Sequence, residues 1–216
     1  MKPVKWTIRR VSGSPGSDPG GASNVVFLFD PRGGSSCLRF SAHTTCGDET
    51  TLLLGLIAAF SVSEGVRKDT GIISWVRWPN LVAIDGKTVG ATSASVTRIG
   101  DRGRAHLVFS VNLSAAGGAG ETSLLDEIGV DVDSDLLMEK VLESLSWMQA
   151  GWSNDLHYQI LRRVRSMTET IGSAVVLRSG ARGVVKEMDA NGRLIVHLSD
   201  GSMAALEKGD ELARMV

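Results

Sequence analysis

Arg77-Trp78-Pro79-Asn80, followed by Leu81-Val82-Ala83-Ile84-Asp85-Gly86-Lys87-Thr88-Val89-Gly90-Ala91, decides how the rest of the chain is read. A tryptophan and a proline end one apolar run, Gly71 to Trp78. Leu81 to Ile84 and Lys87 to Val96 then face each other across Asp85-Gly86, a strong hairpin-turn signal at this spacing. Asp101-Arg102-Gly103-Arg104 turns the chain again. Beyond it Ala105, Leu107, Phe109, Val111 and Leu113 share one face of a strand, and His106, Val108, Ser110 and Asn112 the other. This second face is where a ligand would lie.

Upstream, residues 5–9 read as a short strand and Ser12 to Ser23 as a mobile Gly/Pro/Ser/Asp loop that buries little. Asn24 to Phe29 is an apolar run bounded by turn signals, and Cys37 to Ala42 follows the Asp30-Pro31-Arg32-Gly33-Gly34 turn. The two runs suggest a hairpin with a wide loop. Gly47-Asp48 opens a helix with Asp48 as its N-cap, and Leu52, Leu53, Leu56, Ile57, Phe60 and Val62 make a broad apolar face. Downstream, helices are expected over Thr122 to Ile128, Ser134 to Met148 and Ser153 to Thr170, the last with Arg162, Arg163 and Arg165 mostly outward. The character changes at Ile171-Gly172. VVLR, GVVKEM, LIVHL, MAALE and ELARM, parted by tight turns, predict a small barrel. The expected division is an α+β domain over residues 1–170, flexible in part of 1–23, and a barrel over 171–216.

The chain has 216 residues, of which 43% are hydrophobic and 22% charged, enough for one good core and a small second module. A net charge of −1 leaves no basic excess for a nucleic-acid backbone, so no nucleic-acid partner is expected. The apolar helix segment, Thr50 to Val62, is too short to span a bilayer, and the N-terminus has no apolar leader core. Two cysteines give no disulfide framework, so the expectation is a cytoplasmic protein with no membrane association.

Cys37, His43 and Cys46 do not make a metal site, because a fourth ligand and paired spacing are missing. Buried thiols and a loop histidine are the plainer reading. No Gly-x-Ser-x-Gly elbow is present. Neither residues 11–21 nor Gly117-Gly118-Ala119-Gly120 has the ending of a phosphate-binding loop. Trp75 and Trp78 are expected in the core. Asn80 stands at a strand end and Asn112 on the polar side of an apolar strand; local hydrogen bonding and ligand binding are both open for them.

Taken together, the order of these features resembles a biotin–protein ligase of the biotin/lipoate protein ligase superfamily. Phe29-Asp30-Pro31-Arg32-Gly33-Gly34 with Leu38 to Ser41 resembles that family's Trp-x-Ser-Pro-x-Gly-Gly and Leu-x-x-Ser stretch. Arg77-Trp78-Pro79-Asn80 is close to Lys-Trp-Pro-Asn-Asp, and Asp85 to Gly90 to the Asp-Gly-(Arg/Lys)-Lys-Val-(Ala/Gly)-Gly hairpin. Val108 to Leu113 resembles Gly-x-Gly-Ile-Asn-Val, and Glu121-Thr122-Ser123-Leu124 resembles Ala-Thr-Ser-Leu. Asn191-Gly192-Arg193-Leu194 and Asp200-Gly201-Ser202 resemble turns of its small C-terminal barrel. The resemblance covers residues 25–216. It implies an α+β fold with a mixed, largely antiparallel sheet and packed helices, of the class II aminoacyl-tRNA synthetase and biotin-ligase type, plus an SH3-like C-terminal barrel.

The family joins biotin to AMP with ATP and passes biotin to a carrier-domain lysine. This chain departs from the pattern where that chemistry needs charge and a closed loop. The Gly-Arg-Gly-Arg-x-Gly-Arg loop is missing, Leu81 replaces the acid after Trp-Pro-Asn, and Ala91 replaces a glycine. Thr88 occupies the family's lysine position, with Lys87 beside it and aimed to the other face. Val108 and Ser110 replace both glycines of Gly-x-Gly. The resemblance thus implies ligand-side positions at Arg77, Trp78, Pro79, Asn80, Thr88, Gly90 and Asn112. The expected function is a ligand- or partner-binding accessory protein without ordinary ligase activity. The alternative is a divergent ligase for biotin or a related acid, using Lys87 as the catalytic lysine with biotin and ATP/Mg; a purely structural module is a third reading. The implied partner is a biotin-carrier-type domain or a small acid, with a homodimer left open and no metal site expected.

Overall fold

In the computed structural model, residues 6–11, 25–29, 36–47, 50–99, 102–152 and 157–215 are described. The loop expected over Ser12 to Ser23 and the Asp30 to Gly34 turn lie outside them. The Asp85-Gly86 turn links β5 (Leu81–Ile84) to β6 (Lys87–Ile99). Both turn residues have positive φ, 47° and 77°, the combination that matches the twist of a two-residue hairpin. β7 (Arg102–Asn112) returns along β6, and its alternation is the expected one: Ala105, Leu107, Phe109 and Val111 are buried.

A seven-stranded sheet grows from this pair. β3 (Cys37–Cys46) pairs antiparallel with β7, and β2 (Val25–Phe29) with β3. β1 (Thr7–Val11) adds a parallel pairing, next to β2. At the other edge lies β4 (Trp75–Arg77), against β5. The strand expected over Gly71 to Trp78 is therefore only three residues long. As an edge strand it leaves Trp75 38% exposed, which corrects the expectation that both tryptophans are core; Trp78 is 2% exposed.

α1 (Thr51–Thr70) lies across the sheet, with every residue from Leu53 to Val66 buried. Its N-cap is Thr50, whose hydroxyl accepts the Leu53 N–H at 3.1 Å. That corrects the choice of Asp48, which lies outside the described residues. Gly71 closes the helix, and Arg67 and Lys68 in the last turn suit its negative end. α2 (Leu124–Ile128) starts two residues later than expected, because Ser123 is its cap. α3 (Ser134–Trp152) packs on α1; a Cβ on Gly65 would stand 2.6 Å from Val141 Cγ2, so the close approach requires that glycine.

α4 (His157–Ser166) ends before the expected Thr170, and Leu156 lies outside the described residues. The chain leaves the helix because Thr168 pairs as a parallel bridge with Val76. Arg163 is exposed, as expected, and stacks over the Trp147 ring at 5.0 Å.

The last strands, β8 (Ala174–Leu177), β9 (Arg182–Met188), β10 (Leu194–Leu198), β11 (Met203–Leu206) and β12 (Leu212–Met215), form a curled five-stranded antiparallel sheet, a half-barrel, in the order β11-β10-β9-β8-β12. Val175, Val185, Met188, Leu194 and Val196 belong to the same apolar cluster as the larger sheet. Phe40 and Phe109 of that larger sheet stack at 4.4 Å. No described helix is long and apolar enough to cross a membrane.

Candidate functional site

The Trp-Pro-Asn segment lies where the two sheets meet. The Trp78 indole donates to the Gly192 carbonyl at 2.8 Å, and the Trp78 amide donates to Thr170 Oγ1 at 3.0 Å. Gly192 has φ of 85°, and a Cβ there would stand 2.8 Å from Leu56 Cδ1. The Gly192 turn can therefore approach α1 only without a side chain. The Trp78-Pro79 peptide is cis. Arg77 is held by Glu169, Nε to Oε1 at 2.6 Å, and its Nη2 donates to the Gly86 carbonyl at 2.9 Å.

Both asparagines are tied to backbone. Asn80 Nδ2 donates to the Thr92 carbonyl, and Asn112 Nδ2 to the Thr122 carbonyl at 3.1 Å. The local reading left open for them thus accounts for one amide donor of each. Gly90 has a packing reason of its own, since a Cβ would meet the Ser110 carbonyl at 2.8 Å. Thr88 donates its amide to Gly120 O and accepts from Thr122 N at its carbonyl.

Lys87 sits across from Ile84 and is exposed. Its Nζ lies 3.3 Å from Glu127 Oε1, which also accepts the Thr122 hydroxyl at 2.6 Å. The Thr122 hydroxyl, aided by Lys87 and opposed by burial, holds the Glu127 carboxyl below its ordinary range. A bulge does occur in this hairpin: Val82 pairs with Gly90 and Ala83 with Thr88, leaving Val89 extra. It falls after Thr88, so it leaves Lys87 paired with Ile84.

The polar face of β7 is half-buried and carries side chains. Ser110 Oγ and Cys37 Sγ share a hydrogen bond of 3.2 Å, and Val108 pairs with Ser41, which is 1% exposed. His43 stacks on His106 at 4.4 Å and is buried within β3, which corrects its reading as a loop histidine. Cys37 and Cys46 stand at opposite ends of the ten-residue β3. At strand rise that is about 30 Å, so they cannot share a ligand. The Gly117 amide is taken by Glu121 Oε2 at 2.8 Å, which leaves that glycine run in the service of its own loop.

A cleft of about 650 Å³ opens beside Pro79 and Asn80. Thr50, Thr51 and Gly55 of α1 and its cap line one wall, and Arg193, Glu207 and Lys208 from the smaller sheet line another. Sequence reasoning missed these barrel and helix residues, because nothing local shows that the two sheets meet at Asn80. Arg193 is bound to Asp189 Oδ2 at 2.6 Å and to Glu207 Oε1 at 3.3 Å. The wall therefore offers the Lys208 ammonium and the first turn of α1, which has no acidic residue. Such a cleft can hold a small polar or anionic group by hydrogen bonds and charge. Its lining includes no histidine or cysteine to act as a nucleophile–base pair.

No protein-family model matches the sequence, and no curated protein matches it as a relative. Solved structures do match. A mutant biotin protein ligase from Aquifex aeolicus, in complex with biotin, superposes with a TM-score of 0.76 at 18% identity, over 95% of this chain and 97% of that one. The chain has the biotin protein ligase fold. Another structure of the Aquifex aeolicus ligase gives a TM-score of 0.74 at 19% identity with both chains covered at 100%. A biotin protein ligase-like protein of unknown function from Silicibacter gives 0.76 at 15% identity, over 93% and 94%. On this ligase fold, the Trp78 to Asn80 segment is the joint between the two sheets, and the 650 Å³ cleft lies directly beside it.

Proposed function

We propose that this ligase-fold protein does not carry out ordinary biotin ligation and instead uses the cleft beside Asn80 to bind a ligand or partner. The observation that carries this reading is the position of Lys87. Its ammonium lies on Glu127, while Thr88 stands where the resemblance puts the catalytic lysine. A neutral hydroxyl cannot offset the negative charge that builds on the α-phosphate oxygens and the leaving pyrophosphate when a carboxylate attacks ATP. Two more features support the same reading. Val108 and Ser110 bring side chains to a face for which the resemblance implies bare glycine, and Leu81 supplies no acid for a nucleotide's magnesium. The residues present do not fit biotin and ATP/Mg as the ligase family holds them, although solved neighbours include a ligase in complex with biotin and ATP.

In this reading residues 171–216 are a module that closes one wall of the cleft through Asn191, Arg193 and Lys208. The partner that fits the resemblance is a carrier-type domain or a small acid. The test is transfer. Purified protein is incubated with biotin, ATP, magnesium and an isolated biotin-carrier domain, and the product is read by intact mass. The carrier domain is expected to stay unmodified. Biotinylation that disappears in Lys87→Ala would overturn the proposal in favour of a divergent ligase.

A further inference from the structure

The outward face of the smaller sheet carries a second surface, which shares no lining residue with the cleft. Val176 of β8 pairs with Arg182 on one side and Arg214 on the other. One row along, Ala174 pairs with Val184, which in turn pairs with His197. Val175, Leu177, Val185 and Val196 point the other way into the core. Lys186 is the extra residue of a bulge against the Ile195–Val196 step, and it is exposed.

These residues line a shallow depression of about 460 Å³. Half-buried Val176 and Val184 make its floor, and Arg182, Lys186, His197 and Arg214 stand around it. No lining residue carries a carboxylate side chain. Arg182, Lys186 and Arg214 make no ion pair among the described residues, whereas Arg67, Arg77, Lys87 and Arg193 each have one. The protein as a whole carries a charge of −1, and exposed Glu187, paired with Ile195 in the next row of the same face, bounds the cationic cluster, so its positive field is local.

We propose that this face docks an acidic, extended segment of another protein, with an aliphatic side chain of that segment seated on Val176 and Val184. Charge complementarity selects the sign of the occupant. The floor selects its kind: it is aliphatic, and the one ring in the lining, His197, stands at the rim rather than on the floor, which gives a single strand no row of stacking platforms. Closely spaced carboxylates flanking a valine or isoleucine match a small apolar floor with cations on its rim. The inference is independent of whether the cleft beside Asn80 binds a ligand, since the two share no lining residue.

The test uses full-length protein labelled with nitrogen-15 and the capped peptide Glu-Glu-Val-Glu-Glu. Saturable amide shifts are expected at Val176, Arg182, Val184 and His197, weakening as salt is raised. The triple variant Arg182→Ala, Lys186→Ala, Arg214→Ala changes only exposed side chains. It is expected to keep the native spectrum and lose about tenfold or more in affinity. Arg162→Ala, an exposed arginine on α4, should bind as the parent does. No shifts at about 1 mM peptide, equal binding by the triple variant, or stronger shifts of the same amides by oligothymidylate would each overturn the proposal.

Discussion

Lys87 Nζ lies 3.3 Å from Glu127 Oε1, forty residues along the chain, on an oxygen that also accepts the Thr122 hydroxyl. The Glu127 carboxyl is thereby held below its ordinary range, first by Thr122 and then by Lys87, against the opposing effect of burial. A carboxyl whose folded pKa is lowered stabilises the fold above its unfolded pKa, and that contribution is lost as pH falls through the folded value. Urea midpoints of the parent should therefore drop between roughly pH 5 and pH 3 more than those of Glu127→Gln. Parallel pH profiles would remove the Thr122–Glu127–Lys87 cluster as a stabilising unit.

The Trp78–Gly192 hydrogen bond and the bare Gly192 turn join the two sheets. Trp78→Phe keeps most of the buried ring but leaves the Gly192 carbonyl without its donor, at a cost of about 1–3 kcal/mol. Gly192→Val adds a side chain at φ of 85°, on top of Leu56. It should cost more, about 3 kcal/mol, from backbone strain and overpacking together. Denaturant unfolding of both variants checks the order; equal midpoints for Gly192→Val and the parent would contradict the packed joint.

Arg77 has a structural role of its own. Its guanidinium joins β4 to Glu169 and to the hairpin turn at Gly86, with both ion-pair partners about one-fifth exposed. Arg77→Ala should lower stability by about 2 kcal/mol without any ligand present. Unchanged melting in the variant would contradict that structural role.

The parts of the fold legible in the sequence are those set by short-range rules. The Asp85-Gly86 turn and the alternation of β7 follow from local backbone preference and a two-residue period. The five strands of the smaller sheet could be read between their turns for the same reason. Features set by distant neighbours were not legible. Trp75 is exposed because β4 is the sheet edge, which its own residues do not show. The α4 boundary depends on Thr168 meeting Val76, 92 residues away from it in the chain. The cleft combines Asn80 with Arg193 and Lys208, and no motif spacing links them. The partners of Lys87 and Asn112 are likewise side chain and backbone from the α2 region, brought in by tertiary packing.

Lys208 gives the cleft its own test. It lines the cleft together with the first turn of α1, where no acidic residue offsets the helix's positive end. Inorganic phosphate, followed through the amides of Thr51, Asn80 and Lys208, should shift them weakly in the parent. The shifts should shrink in Lys208→Ala, an exposed position that leaves the fold intact. Identical titrations in the two proteins would mean that the cleft does not select anions.

The most direct measurement is biotin-dependent exchange of labelled pyrophosphate into ATP, which reads adenylate formation before any carrier is involved. With Lys87 on Glu127 and threonine at position 88, exchange is expected to stay at the level seen without biotin. Exchange that rises with biotin in the parent protein and vanishes in Lys87→Ala would contradict the account and make this chain an active ligase.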